Sequence, residues 1–227
     1  MKNYLIIGAS SGIGRQLASQ LSIHHAVMGT YYMRETSHPS IAYQYFDALG
    51  NEALQNIPEV LDGVAYCPGS IRLKPFGRLK EQDFIDDFKL QVGGAIKVIQ
   101  QCLPALKKAE NPSIVLFSTV AVQTGFNFHS LVSSSKGAIE GLAKALAAEF
   151  APKIRVNCIA PSITQTKLAE SLLSSDEKIK ANAERHPLKR IGQPKDIANL
   201  GEFLMTDQSR WITGQIVHVD GGMSAIK

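Results

Sequence analysis

A glycine-rich turn near the start of the chain constrains the fold more than any other feature. The apolar run Tyr4–Ile7 leads into a Gly-x3-Gly-x-Gly pattern, and a helical pattern follows at once. Gly8 permits a tight turn, Gly12 lets a phosphate approach the backbone, and Gly14 lets the helix pack closely on the strand. Amides at the helix start then point at the anion. The turn predicts a dinucleotide phosphate site; the alternative is a strand-to-helix turn without a ligand.

Short apolar segments alternate with longer helical patterns along the whole chain. Segments of four or five residues, rich in Val, Ile and aromatic residues, are typical of strands: Tyr4–Ile7, Ala26–Thr30, Tyr43–Phe46, Val64–Cys67, Ile114–Phe117, Arg155–Ile159 and Ile216–Val219. Apolar spacings of three and four predict helices over Gly12–Leu21, Gln82–Leu106, Ser133–Phe150 and Pro194–Met205. This alternation predicts a single-domain Rossmann fold over residues 1–227, a doubly wound parallel seven-stranded α/β sheet with helices on both faces. The polar Thr166–Lys189 stretch is expected to be a mobile helical insertion.

Composition excludes several classes of function. Lys and Arg exceed Asp and Glu by only 24 to 20, which argues against a nucleic-acid binder. Cys67, Cys102 and Cys158 form no CxxC pair, and the six histidines show no ligand spacing, so no metal is implied. No apolar run has the length of a membrane span or a signal peptide. We therefore expect a cytoplasmic protein with reduced thiols.

Several further segments show that the chain resembles the short-chain dehydrogenase/reductase family. The glycine spacing is the family's, and matching segments follow in the family's order to the end of the chain: Phe46-Asp47-Ala48, Ile154–Pro161, Pro161–Thr166, Arg190–Pro194, Ile212–Gln215 and Val219–Gly222. The pattern is most similar to 3-oxoacyl-carrier-protein reductases. The resemblance implies a nicotinamide dinucleotide as cofactor.

The resemblance also implies which residues contact that cofactor. They are Gly8, Ser10, Ser11, Gly12, Ile13, Gly14, Tyr31, Arg34, Asp47, Ala48, Pro68, Gly69, Lys136, Ile163 and Thr166. No acidic residue directly follows the second strand, and Arg34 is near enough to meet a 2′-phosphate, so NADP is favoured over NAD. The preference for NADP stays open for two reasons. The alternative is that Arg34 is a solvated loop cation. In addition, Ser11 occupies the position before the second glycine at which family members of this type often carry a basic residue.

The resemblance breaks at the catalytic centre. Family members protonate the substrate carbonyl from the Tyr of a Tyr-x3-Lys motif; Lys136 matches the Lys, but Val132 occupies the Tyr position. Thr119, beside Ser118, matches the hydroxyl that orients the carbonyl, and Gln91 occupies the position of a helix Asn. His129 lies seven residues before Lys136, the Tyr-to-Lys spacing of the enoyl reductase branch. A surface histidine is the favoured interpretation of His129.

Two functions follow from this pattern. The first is an NADP-dependent reductase of a ketone or 3-oxoacyl thioester with an atypical proton source. The second is a nucleotide-binding homologue without ordinary catalysis that acts as a partner subunit or regulator. The bases Arg72, Lys74, Arg78 and Lys80 follow the fourth strand, where a solvated loop is preferred over docking of an acidic acyl carrier protein. Small residues in the long helices favour a homodimer or homotetramer: Gly93, Gly94, Gly137 and Gly141.

Overall fold

The computed structural model describes residues 1–226 and confirms the predicted seven-stranded parallel sheet. The strands are β1 Asn3–Ile7, β2 Ala26–Tyr31, β3 Ile41–Tyr45, β4 Gly63–Tyr66, β5 Ser113–Phe117, β6 Arg155–Pro161 and β7 Ile216–Val219. Their order in the sheet is β3-β2-β1-β4-β5-β6-β7, with every pairing parallel. Strand order reverses between β1 and β4, and such a switch point opens a crevice at the carboxyl ends of the strands.

Helices cover both faces of the sheet. They are α1 Gly12–Leu21, α2 Glu81–Phe88, α3 Gly94–Leu106, α4 Ser130–Phe150, α5 Asp176–Glu184 and α6 Pro194–Met205. The α3 and α4 helices pack on one face, where Leu5 and Ile7 of β1 point, and α1 and α6 pack on the other, with Tyr4 and Ile6. Because both faces of β1 are covered by helices, its sequence is a continuous apolar run and does not alternate between apolar and polar residues.

The helix predicted over Gln82–Leu106 is interrupted. A π-helical turn, Lys89–Gly93, separates α2 from α3. The Tyr66 hydroxyl donates to the Leu90 carbonyl in this turn at 2.6 Å, so the end of β4 fixes the turn to the sheet. A Cβ on Gly94 would lie 2.1 Å from that hydroxyl oxygen, which is why glycine is needed directly after the turn. The π turn places Gln91 inside the molecule, fully buried.

Four other segments differ from the expected pattern or refine it. The connections from β2 to β3 and from β3 to β4 contain no helix among the described residues, so helices do not occupy every crossover. The α4 helix begins at Ser130, one turn before the predicted Ser133. The polar Thr166–Lys189 stretch is helical, with a 3-10 segment Lys167–Leu173 followed by α5. No helix within residues 1–226 has the length and apolarity to cross a membrane.

Candidate active site

The glycine turn at the end of β1 has the geometry that a phosphate site needs. Gly8 and Gly12 adopt φ values of +79° and +54°, which side chains rarely tolerate. A Cβ on Gly14 would lie 2.4 Å from the Gly8 carbonyl oxygen. Ser11 precedes α1 without a capping bond from its side chain to any described residue, so the first amides of α1 remain available to an anion.

Neighbouring strands hold the turn in place. The buried Thr30 hydroxyl accepts from the Gly8 amide at 2.9 Å, and the Tyr43 hydroxyl donates to the Ala9 carbonyl at 3.2 Å. Across the groove, a Cβ on Gly12 would contact the Thr166 methyl group at 3.2 Å. The turn is therefore preorganised, with Thr166 as its opposite wall.

The residues predicted for the adenosine end lie after β2 and β3. An oxygen of the Asp47 carboxylate accepts from the Leu49 amide at 2.8 Å, while Lys97 donates to the Asp47 carbonyl at 3.1 Å. These bonds fix the turn that contains Ala48. Tyr31 ends β2 and packs edge-on against Tyr45, whereas Arg34 is exposed and forms no ion pair with a described residue.

Lys136 lies buried in α4 at the centre of the candidate site. Its Nζ donates to the Phe117 carbonyl at the end of β5, at 2.8 Å. A Cβ on Gly69 would lie 3.5 Å from this Nζ, so the backbone after β4 passes directly beside the ammonium group. Burial lowers the pKa of Lys136 to about 8, and the nearby thiols and Asp87 offset this only in part.

A buried polar network lies behind Gly69. Gln91 Nε2 donates to the Asp87 carboxylate at 2.7 Å, and the Ser70 hydroxyl donates to the other oxygen of Asp87. Gln91 Oε1 is buried and has no hydrogen-bond partner within residues 1–226, and it would lie 3.4 Å from a Cβ on Gly69. A buried acceptor without a partner is costly, so this oxygen marks a place for a ligand group or a water molecule.

The structure separates the two candidate hydroxyl groups. Ser118 donates to Glu140 of α4 at 2.6 Å, so its proton is engaged away from any substrate. Thr119 accepts from the Ala121 amide at 3.3 Å, which leaves its own proton free to donate. Of the pair, Thr119 is the residue that can orient a carbonyl.

A cavity of about 260 Å³ brings these residues together. Its walls include Ile13, Gly69, Ser118, Thr119, Val132, Lys136, Ile163 and Thr166. Pro68 is not part of these walls; its Cδ lies 3.4 Å from the Cβ position of Gly8 in the glycine turn. Val132 is buried and lines the cavity. No tyrosine lines the cavity in the described part of the chain.

Sequence reasoning missed four residues at or near this site. Asp87 and Ser70 belong to the buried network, and Asn182 and Arg185 line the cavity from the end of α5. The i, i+4 spacing of Asp87 and Gln91 on one helical pattern is the signal that could have paired them. His129, expected at the surface, is half-buried and lines the cavity.

A parallel sheet with this strand order and a cavity at its carboxyl edge defines a Rossmann-type α/β protein, the class in which dinucleotides bind at that edge. A family model described as enoyl-(acyl carrier protein) reductase matches residues 42–224. The 3-oxoacyl-[acyl-carrier-protein] reductase FabG of Staphylococcus aureus is 31% identical, and the alignment covers 98% of both chains. The chain belongs to the short-chain dehydrogenase/reductase family, whose members bind nicotinamide cofactors.

Solved structures of similar proteins agree over nearly the full length. A short chain dehydrogenase family protein of Francisella tularensis superimposes with a TM-score of 0.90 at 27% identity, covering 99% of each chain. ElxO with NADP bound superimposes with a TM-score of 0.85 at 25% identity, covering 98% of each chain.

Proposed function

We propose that this protein reduces the carbonyl group of a ketone or 3-oxoacyl thioester with NADPH. One observation supports this most directly: Thr119 and Lys136 line the same cavity as Ile13, Gly69 and Thr166 of the dinucleotide groove. A carbonyl that contacts the Thr119 hydroxyl would therefore lie beside a nicotinamide ring. The dinucleotide, when bound, supplies the hydride.

The residues of this chain fit a dinucleotide. The turn between β1 and α1 offers free amides to the pyrophosphate. A Cβ added to Gly12 would fill the cleft between Gly12 and Thr166, so glycine keeps this cleft open. Asp47 stands at the end of β3 to accept from the adenine amino group. Lys136 Nζ uses one of its three donors on Phe117, which leaves two for ribose hydroxyls or substrate.

The proton for the carbonyl oxygen comes, in this proposal, from Lys136. The Val132 side chain carries no acidic proton. The Lys136 ammonium group lines the cavity, and its pKa of about 8 is in the range of an effective general acid near neutral pH. Thr119 orients the oxygen. The Gln91 carbonyl and Lys136 Nζ both lie within about 3.5 Å of the Cβ position of Gly69, so a water molecule between them would accept from Lys136 and donate to Gln91. The Lys136 amine left by each turnover takes up its new proton from bulk water.

The pH dependence tests this assignment. Carbonyl reduction should fall as pH rises through about 8, because the donor is the ammonium form and the amine form has lost its proton. The measurement is NADPH oxidation with a panel of ketones and short 3-oxoacyl thioesters from pH 6 to about 10. A rate that stays level over this range contradicts Lys136 as the acid.

The absence of a phenol at Val132 favours a second candidate, a nucleotide-binding partner subunit or regulator. The two functions differ in one result. Dinucleotide binding without oxidation of NADPH by any carbonyl in the panel supports the regulator, and turnover supports the reductase.

Arg34 is proposed to select NADP over NAD. Its side chain is exposed after β2 and forms no ion pair with residues 1–226, and a charge-assisted bond to a 2′-phosphate raises the affinity by a factor of about ten or more. Arg34→Ala should therefore reduce the NADP/NAD affinity ratio about tenfold, measured by calorimetry with both cofactors. Arg78→Ala removes the charge of another exposed arginine, at the end of a short 3-10 helix, and serves as the control. An unchanged ratio in Arg34→Ala refutes the assignment.

The protein is further proposed to form a homodimer through α2 and α4. Small residues line the exposed face of α4 at Gly141, Ala145 and Ala148, and the neighbouring α2 exposes Ile85 and Phe88. Gly94, by contrast, is buried against Tyr66 inside the protomer, so it does not contribute to that surface.

Light scattering at micromolar concentration should give the mass of a dimer or tetramer. A Cβ on Gly141 meets nothing within 4 Å, so Gly141→Arg should lower the mass without disturbing the protomer. Gly125 has equally open surroundings, and Gly125→Arg is the matched control. A monomer mass for the unmodified protein rules the dimer out.

A further inference from the structure

We propose, on the basis of the carbonyl reduction proposed above, that Arg185 makes this cavity a site for carbonyl compounds that also carry a carboxylate. The substrate class is an oxo acid whose ketone or aldehyde lies near Thr119 and Lys136. Its apolar middle contacts the cavity wall, and its carboxylate reaches the guanidinium group at the rim.

The charges around the cavity favour an anion. Among the described residues that line it, Lys136 and Arg185 are cationic, while none is an aspartate or glutamate. Apolar side chains form most of the remaining wall on the substrate side, among them Leu73, Leu168, Leu172 and Met223. A neutral substrate would need no such cations. A carboxylate on an apolar chain matches both features.

Arg185 is held in position without being neutralised. Its guanidinium carbon lies 5.0 Å from the centre of the Phe126 ring, and that ring lies 5.4 Å from the ring of His129. No carboxylate within residues 1–226 pairs with it; the adjacent Glu184 pairs with Lys189 at 3.4 Å. By contrast, Arg190 has a carboxylate partner in Asp196. The Arg185 guanidinium keeps its donors free for a ligand.

The backbone that carries Arg185 is anchored by its neighbour. His186 is buried; its Nδ1 lies 2.7 Å from the Asn182 carbonyl and its Nε2 lies 2.8 Å from the Ser162 hydroxyl. Asn182 Nδ2 also donates to the Leu172 carbonyl at 3.3 Å. These contacts fix the end of α5 against the end of β6. The cation is therefore placed at the rim before a ligand arrives, which reduces the entropic cost of binding.

The test compares matched substrate pairs. An oxo acid and its methyl ester present the same carbonyl, and the ratio of their kcat/KM values isolates the contribution of the carboxylate. We expect Arg185→Ala to lower the acid-to-ester ratio about tenfold or more, and Arg185→Lys to retain part of it. Lys180→Ala, which removes an exposed cation of α5 outside the cavity wall, should leave the ratio unchanged.

A binding measurement separates this inference from the proposed reaction. Calorimetry with the corresponding hydroxy acid, in the presence of NADP, reports carboxylate recognition without turnover. If no carbonyl compound oxidises NADPH, the reductase proposal fails, yet acid binding that is lost in Arg185→Ala still supports the anion site. If neutral ketones turn over and the acid-to-ester ratio is the same in Arg185→Ala, the anion site is refuted and the reductase stands. Failure of the hydroxy acid to bind and of the oxo acid to react refutes the anion site.

Discussion

Replacing Val132 by tyrosine is expected to raise the rate of carbonyl reduction about 100-fold, because the phenol would take over proton donation from Lys136, which is held at the Phe117 carbonyl, and a well-placed general acid contributes a factor of about 10²–10⁴. Val132 lines the cavity one helical turn before Lys136, so a phenol there would face the carbonyl oxygen with the ammonium group beside it. That ammonium group would lower the pKa of the phenol. The measurement is NADPH oxidation with the same carbonyl panel for both proteins.

Val132→Phe is the matched control, since it adds the ring without the hydroxyl group. It should not accelerate the reaction, and dinucleotide affinity should barely change in either variant. Equal rates for the Tyr and Phe variants, with cofactor still bound, would show that a phenol at position 132 adds no acid catalysis, and a lack of activity in both would favour the regulator. Activity of the unmodified protein as high as that of Val132→Tyr would show that its own donor suffices, and His129→Ala would then distinguish His129 from Lys136.

Gly12→Val is expected to weaken dinucleotide binding by more than about 100-fold. The added side chain would stand in the groove 3.2 Å from the Thr166 methyl group, at a φ of +54° that a β-branched residue rarely adopts. Calorimetry with NADP and NAD measures the loss. Binding that survives this change would place the dinucleotide elsewhere.

The choice of glycine matters for that experiment. A Cβ on Gly14 would meet the Gly8 carbonyl at 2.4 Å, so a substitution there would distort the turn itself and would not test the groove. Gly125→Val adds the same side chain in open surroundings and controls for a general effect on folding. Thermal unfolding of the Gly12 variant shows whether its loss of binding is local.

The strands and their order in the chain were predictable because each strand is a short apolar run between turn residues. The interruption of the long helical pattern was not. Residues 82–106 keep their apolar spacing through the π turn, and the turn depends on a bond from Tyr66, which is distant in sequence. Local periodicity therefore predicted one helix where tertiary contacts produce two.

The candidate site was predictable where a motif fixes the backbone and unpredictable where side chains meet across elements. The glycine turn and Lys136 follow from spacing alone. From the sequence, Ser118 and Thr119 are both candidates for the hydroxyl that orients the carbonyl. Only the hydrogen bond from Ser118 to Glu140 of α4 distinguishes them. Arg185 and His129 lie 56 residues apart and meet through Phe126, a contact that no periodicity records.

Tyr66 and Gly94 constrain how this chain can diverge. Because the tyrosine hydroxyl occupies the space of a side chain at Gly94, any larger residue at that position requires Tyr66 to shrink first. Loss of Tyr66 alone would in turn remove the bond that holds the π turn and leave a gap beside the glycine. The two positions are thus coupled sterically. A side chain larger than glycine at position 94 can be accommodated only beside a smaller residue at position 66, so the shape of the turn around Gln91 depends on a residue of the sheet.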